Sequence, residues 1–371
     1  MSKIYINPSA RTWSHSYKDS VTQAQEFHRR LPGYQESPLV HLPDTATALR
    51  VKAVFVKDES SRLGLPAFKI LGASWGTFRA IASQTGLTLD TDLDEISKAA
   101  TKSGIVLFAA TEGNHGRAVA RMGKILSIPV KIFMSKFADA DTVGKIESEG
   151  AHVTVITGDY DEAVARASNE SKATTNGLLI QDNAFENYEE IPAWIVEGYL
   201  TLLFETEHQL AAQGLKATVL VTPVGVGSLG HAVVAYAKSD GRNIAVLTVE
   251  PETAACLNDN LWSGKWETIE TSATIMNGMN CGTVSPISWP ILRNGVDASV
   301  TISDLVCHDA INYLQSRGLN PGPCGAASLC ALNKLAASDS SSKLLDANTV
   351  VVLLSTEGAR GYETPAGFHG A

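Results

Sequence analysis

The stretch Ile105-Val106-Leu107-Phe108-Ala109-Ala110-Thr111-Glu112-Gly113-Asn114-His115-Gly116 decides the fold class. It opens with an unbroken apolar run, which reads as a strand buried on both faces rather than one with a solvated side. Small polar residues then break the run, and a helical pattern from Asn114 to Leu126 follows. The same alternation continues downstream. Val130 to Met134 reads as a strand, Asp139 to Glu149 as a helix, His152 to Ile156 as a strand and Tyr160 to Lys172 as a helix, with Leu178 to Ile180 closing the series. Short apolar strands separated by helices predict parallel pairing with helices covering both sheet faces.

Working outward, the pattern recurs on both sides. Upstream, a helix is expected from Asp19 to Arg30 and a strand from Ala53 to Lys57. Asp58-Glu59-Ser60-Ser61-Arg62 follows as an exposed polar turn, and a helix runs from Lys69 to about Ser83. Downstream come a long helix from Ile191 to Gln213, a strand from Thr218 to Pro223, a helix from Gly230 to Lys238 and a strand from Ile244 to Val249. A last buried strand spans Thr349 to Ser355. The expected fold class is α/β, with two three-layer α/β/α domains and mostly parallel sheets. Residues 1–69 and 187–371 form the larger domain and 70–186 a smaller inserted one, in line with a length of 371 residues.

Composition sets the outer bounds. An apolar content of 44% and a charged content of 19% are those of a globular protein with a sizeable core. A net charge of −9 and no long basic run argue against nucleic-acid or membrane-surface partners. No apolar stretch reaches the length of a membrane span, and the N-terminal residues lack the apolar core of a signal peptide. The expectation is a cytoplasmic protein. The cysteines, Cys256, Cys281, Cys307, Cys324 and Cys330, form no C-x-x-C pair and have no histidine cluster beside them. They read as free thiols, with a redox pairing of Cys256 and Cys281 as a secondary hypothesis and no metal site.

Chemistry concentrates at four places. Lys69 follows a Gly/Pro turn and a phenylalanine, Leu63-Gly64-Leu65-Pro66-Ala67-Phe68-Lys69, at the mouth of a helix with one buried face. A lysine there either snorkels or, desolvated, becomes a nucleophile for carbonyls. Thr222-Pro223-Val224-Gly225-Val226-Gly227-Ser228-Leu229-Gly230 joins a buried strand to a helix. Its backbone N–H groups and the helix N-terminus form a natural phosphate cradle. The same residues spell G-x-G-x-x-G, with Glu250 at the end of the next strand placed for a ribose hydroxyl, so a nicotinamide oxidoreductase is a rival reading. The Thr111-Glu112-Gly113-Asn114-His115 loop can cup a carboxylate, and Glu112 can carry a proton or cap the following helix. Ser355 and Thr356, at the carboxyl end of the last strand, offer hydroxyls where open α/β sheets bind ligands.

Taken together, these loops resemble the fold-type II (tryptophan synthase β-subunit-like) pyridoxal-phosphate enzymes. The resemblance narrows to the diaminopropionate ammonia-lyase family. It rests on Val56 to Lys69, Gly33 to Leu39, Gly113-Asn114-His115-Gly116-Arg117, Gln181-Asp182-Asn183-Ala184, Thr274 to Gly278 and Ser355-Thr356-Glu357-Gly358. It implies pyridoxal 5'-phosphate carried by Lys69 as a Schiff base. Gly225, Val226, Gly227, Ser228, Leu229 and Gly230 would hold the phosphate, Asn114 would lie beside the ring, and Ser355 or Thr356 would meet the ring nitrogen. Thr111, Gly113, Asn114, His115 and Asp182 would bind a small amino-acid substrate. The implied reaction is β-elimination of ammonia from 2,3-diaminopropionate, giving pyruvate and ammonia, in a homodimer. Lys69 would serve one face of Cα and Glu112 or Asp182 the other. A serine or threonine dehydratase, a racemase or a β-replacement synthase would use the same frame, and a non-catalytic α/β binding protein is a further alternative. Two positions depart from the family pattern. Glu112 stands where aspartate is typical, and Gly322-Pro323-Cys324-Gly325-Ala326 stands where Gly-Glu-Ser-Gly-Ala is typical.

Overall fold

Apolar strands followed by glycine or Gly-Asn turns become, as their pattern dictates, the interior strands of two parallel sheets. The computed structural model describes residues 4–16, 21–340 and 344–367. Asp19, at the expected start of the first helix, lies outside the described residues, and the helix is seen from Val21 to Arg30. The strands are β1 (Tyr5–Ile6), β2 (Leu39–His41), β3 (Ala53–Asp58), β4 (Val106–Ala110), β5 (Val130–Met134), β6 (His152–Val155), β7 (Gly177–Leu179), β8 (Val219–Pro223), β9 (Ala245–Pro251), β10 (Ala298–Ile302) and β11 (Val350–Ser355).

The chain divides into two compact units. One comprises Met1–Lys18, Gln35–Phe68 and Leu202–Ala371, the other Asp19–Tyr34 and Lys69–Thr201. The first holds a seven-stranded sheet in the order β1-β10-β9-β8-β11-β3-β2. Its five inner strands are parallel and its short edge strands β1 and β2 pair antiparallel. Its core is built from Val54, Val56, Val219, Val221, Leu247, Val300, Val351 and Leu353, under the helix Pro323–Ala336. The second unit holds a four-stranded, all-parallel sheet in the order β6-β5-β4-β7.

The second unit is wider than residues 70–186, because the Lys69 helix (Lys69–Thr85) draws in neighbours from outside that range. Phe27, from the helix Val21–Arg30, packs its ring 4.5 Å from Phe78 and 5.5 Å from Trp75. The helix Glu190–Ala211 presses Ile195 and Tyr199 against Gly72 and Gly76. A Cβ at Gly72 would come within 2.5 Å of the Tyr199 ring, and one at Gly76 within 2.7 Å of Ile195. Buried face to face, these helices form one core with the Lys69 helix.

The turn after β3 is not the exposed polar segment its composition suggests. Glu59 is 1% exposed and Arg62 0%, as are Lys57 and Glu205. Lys57 Nζ donates to Glu205 Oε2 (2.8 Å), Gln209 Oε1 (3.0 Å) and the Ser37 carbonyl (2.9 Å). Arg62 donates to both carboxyl oxygens of Glu205 and of Glu59, at 2.6 to 2.8 Å, and to the Gln35 carbonyl at 3.1 Å. Glu205 arrives from a helix far along the chain, which local sequence could not announce.

Candidate active site

In the four-stranded unit, the chemistry gathers where β4 and β7 end together. Their parallel register sets Phe108 opposite Leu179. The segment after β7 therefore runs on beside the Thr111 loop, with Ile180 N–H donating to the Phe108 carbonyl at 2.7 Å. Gln181 locks this edge: Ala110 N–H donates to its Oε1 (3.0 Å), and its Nε2 donates to the Tyr160 hydroxyl (2.8 Å). The Gln181 N–H donates to the Tyr188 hydroxyl (2.8 Å), which in turn donates to the Leu179 carbonyl (2.6 Å). Gln181 is the positioning residue that sequence reading passed over. Its only signal was its place beside Asp182.

On the other side of that edge, the Thr111 hydroxyl accepts from Gly113 N–H (2.9 Å) and Gly116 N–H (3.0 Å). Gly113, at φ +151°, is the N-cap of the helix Asn114–Leu126, a conformation open mainly to glycine. Asn114 starts that helix and His115 occupies its first turn.

Asp182 is 5% exposed, and its carboxylate meets the Lys69 ammonium. Burial would raise its pKa. The charge of Lys69 and its hydrogen bond override this and hold the carboxyl at about 2. Lys69 itself is partly buried, with 20% of its side chain in solvent. His115 Nε2 lies 2.8 Å from the Ile180 carbonyl. A carbonyl can only accept, so Nε2 carries the proton. Burial, the largest influence, and Lys69 depress the imidazole's pKa, with Asp182 opposing them, so the ring is neutral. Its Nδ1 is buried, has no hydrogen-bond partner and stands 4.0 Å from Asp182 Oδ2. Glu112 goes elsewhere. The residue is exposed, and partial desolvation raises its carboxyl pKa against hydrogen bonds from the Ser135 hydroxyl and N–H. Thus the structure brings Lys69, Asp182 and His115 together and ties Glu112 to Ser135.

In the seven-stranded unit, β8 and β11 are adjacent and parallel, with Leu353 opposite Val221. Two residues beyond that pair, β8 ends at Pro223 and β11 at Ser355. The Gly225 loop leaves β8 and becomes the helix Ser228–Ala237, which starts two residues before the predicted Gly230. Gly227 is its N-cap, at φ +92°, with no side chain bonding the first turn. A Cβ at Gly225 would come within 2.9 Å of the Gly278 carbonyl and 3.2 Å of Cys281 Sγ. Ser355 and Thr356 are 2% and 5% exposed. Beside them Glu357, 3% exposed, accepts from the Cys324 N–H at 3.2 Å, at the start of the helix Pro323–Ala336. The Cys324 thiol is buried, and burial together with Glu357 pushes its pKa well up, so it stays neutral. All five cysteines are free thiols.

Glu250 is not available for a ribose. It is wholly buried, and its two oxygens accept from Leu257 N–H and Asn258 N–H, both at 2.7 Å, capping the helix Cys256–Ser263. Burial pushes its carboxyl up to about 8 against the pull of those amides. Each unit, taken by itself, offers one of the groups that pyridoxal phosphate needs. The Gly225 loop offers backbone N–H groups for an anion at a helix N-terminus that no side chain caps, and Lys69 offers an amine on an ionised carboxylate. Among the described residues no cluster suited to a metal ion occurs, and no helix is long and apolar enough to cross a membrane.

Comparison with known proteins agrees. The family described as "Pyridoxal-phosphate dependent enzyme" matches residues 30–356. Diaminopropionate ammonia-lyase of Salmonella typhimurium is 34% identical over 359 residues, covering 90% of this chain and 87% of that protein. Diaminopropionate ammonia-lyase of Escherichia coli in complex with D-serine superposes with a TM-score of 0.88 at 28% identity, over 96% of this chain and 94% of the other. The same enzyme in complex with an aminoacrylate-PLP azomethine reaction intermediate gives 0.84 at 29%, over the same shares. This chain belongs to the pyridoxal-phosphate dependent enzymes of fold type II and, within them, to the diaminopropionate ammonia-lyase family.

Proposed function

We propose that the protein is a pyridoxal-phosphate-dependent ammonia-lyase that releases ammonia from 2,3-diaminopropionate and yields pyruvate. The observation that carries this reading is the Lys69 ammonium on the buried Asp182 carboxylate, beside the Asn114 loop. The names of the relatives above support it.

The cofactor, when bound, supplies the electron sink for the carbanion at Cα. Lys69 would hold it covalently, and the amides of Gly225, Val226, Gly227, Ser228, Leu229 and Gly230 would bind its phosphate. Asn114 would lie beside its ring. A neutral hydroxyl from Ser355 or Thr356 would meet the ring nitrogen, leaving that nitrogen largely unprotonated. The Thr111–His115 loop would hold the substrate carboxylate through backbone N–H groups. Lys69, once freed, is the base for the Cα proton on its face. Asp182, held ionised, keeps the leaving amine protonated, so that ammonia rather than an amide anion departs. Glu112 would serve the opposite enantiomer only by leaving Ser135. The protein would act as a homodimer, as its family resemblance implies, in the cytoplasm.

The purified protein should show a near-violet absorption band, and borohydride should abolish it and modify Lys69. L- and D-diaminopropionate, serine and threonine should then be compared by release of pyruvate or 2-oxobutyrate. Turnover of serine well above diaminopropionate would move the protein to the dehydratases. A colourless protein that binds NAD would overturn the family chemistry altogether. Light scattering decides between monomer and dimer.

A further inference from the structure

The imidazole of His115 is the one member of the Lys69 cluster with an unused function. It is 6% exposed, it donates from Nε2 to the Ile180 carbonyl, and its Nδ1 lone pair is buried without a partner. A buried acceptor left without a donor is destabilising, so such an atom calls for a ligand. Nδ1 stands 4.0 Å from Asp182 Oδ2. Two acceptors at that separation repel one another, and a single N–H-rich cation placed at ordinary hydrogen-bond length from each would satisfy both. One residue along, Asn183 Oδ1 is likewise buried without a partner. In the structure the positive charge at Asp182 is Lys69. As the neutral amine that takes the Cα proton, Lys69 would no longer neutralise that carboxylate.

We propose that His115 Nδ1 and the Asp182 carboxylate form a paired acceptor site for the β-ammonium of the substrate, which makes His115 a specificity residue for a β-amine over a β-hydroxyl. This deepens, and rests on, the ammonia-lyase reading above. An ammonium has three donors and no acceptor, so it suits two acceptors. A hydroxyl has one donor, so it would satisfy one acceptor and leave the other buried and unpaired. Polar sites discriminate most strongly by this asymmetry. The role differs from that of the loop's backbone, which faces a carboxylate: the same residue would serve an anion through its N–H and a cation through its ring.

The test separates binding from turnover. 3-Aminopropionate and 3-hydroxypropionate share chain length and carboxylate and differ in the one group at issue. Both lack an α-amino group and so cannot be turned over. Their dissociation constants are measured by calorimetry on holoenzyme first reduced with borohydride, in which the bond between Lys69 and the cofactor can no longer be exchanged for one to the probe's own amine. The wild type should bind the amine at least tenfold more tightly. His115→Gln can keep a donor toward the Ile180 carbonyl while losing the ring acceptor, and it should lose most of that preference. His115→Asn, which can place an acceptor near Nδ1, should retain part of it. An unchanged preference in a folded His115→Gln variant, or no preference in the wild type, overturns the proposal. Should His115→Gln fail to fold, the ring ¹⁵N shifts of His115 in the wild type decide. A shift of Nδ1 on adding 3-aminopropionate supports the site, and none refutes it. Failure of the parent reading looks different: the wild-type holoenzyme would release no pyruvate from diaminopropionate, whatever its binding preferences.

Discussion

Two charged clusters flank the short segment from Lys57 to Lys69, and they are built on opposite principles. In the seven-stranded unit, Lys57, Glu59, Arg62 and Glu205 are 0 to 1% exposed, and Arg62 has a carboxylate or carbonyl at each of its bonded nitrogens. In the four-stranded unit, Lys69 keeps 20% of its side chain in solvent, and the neighbouring His115 presents an acceptor with nothing bonded to it. The first cluster is saturated. Its charges hold one another and leave no valence for a ligand. The second is short of donors by at least one. Removing two charges from water is repaid only by complete pairing, so a saturated network suits a structural anchor, whereas an incomplete one makes sense where something else binds.

The most direct way to break this contrast is to remove one cation from each side. Lys69→Ala should lower kcat/KM by about 10³-fold or more, with loss of the near-violet band, and still give folded protein. Arg62→Met should do the reverse. It leaves Glu59 and Glu205 buried without their partner and should cost roughly 3–5 kcal/mol in chemical denaturation. The fraction that remains folded should keep the wild-type KM. A stable Arg62→Met protein without activity would show that the saturated cluster belongs to the chemistry after all.

A smaller effect is expected at the glycine loop, whose shape rather than charge would do the binding. Gly225→Ala brings a methyl group within 2.9 Å of the Gly278 carbonyl, a backbone atom that cannot swing aside. The resulting shift of the loop, of the kind that costs about 1–3 kcal/mol in packed interiors, should weaken pyridoxal phosphate binding by about tenfold. Fluorescence titration of the cofactor reads this out. An unchanged affinity would remove the phosphate from this loop.

The uneven visibility of these features in the sequence follows from where their partners come from. The β4 strand, the Asn114 turn and the Gly225 turn were legible because an apolar run and its breaker sit within a few residues of each other. Ser355 and Thr356 were legible as the end of such a run. The burial of Glu59 and Arg62 was not, because the neutralising Glu205 lies more than a hundred residues on, and a Glu-Ser-Ser-Arg turn without it would face solvent. The His115 tautomer depends on the Ile180 carbonyl, which reaches it only through the β4–β7 register. Strand β10, Ala298-Ser299-Val300-Thr301-Ile302, was missed because its buried serine and threonine interrupt the apolar signal. Glu250 misled for the opposite reason. Its spacing from the glycines matches a nucleotide fingerprint, and only the position of the helix Cys256–Ser263 shows that its oxygens are already bonded.

The least dramatic prediction separates the clusters by acid. His115 is held neutral in the folded protein, with its pKa below the ordinary histidine value, while an unfolded chain takes up the proton near pH 6.5. The unfolded state therefore binds more protons below that pH, and the stabilisation from neutral His115 is present above pH 6.5 and declines as pH falls. Asp182 has the same sign at lower pH: with its carboxyl at about 2, its contribution is present above about 4 and lost as pH falls toward 2. For one group the slope is on the order of 1 kcal/mol per pH unit. Denaturation midpoints measured from pH 7.5 to 5 should fall in the wild type and fall less steeply in His115→Gln, which has no ring to protonate. Equal slopes in the two proteins would mean that His115 is already charged when folded, and a protonated Nδ1 would bond Asp182 instead of awaiting a substrate amine.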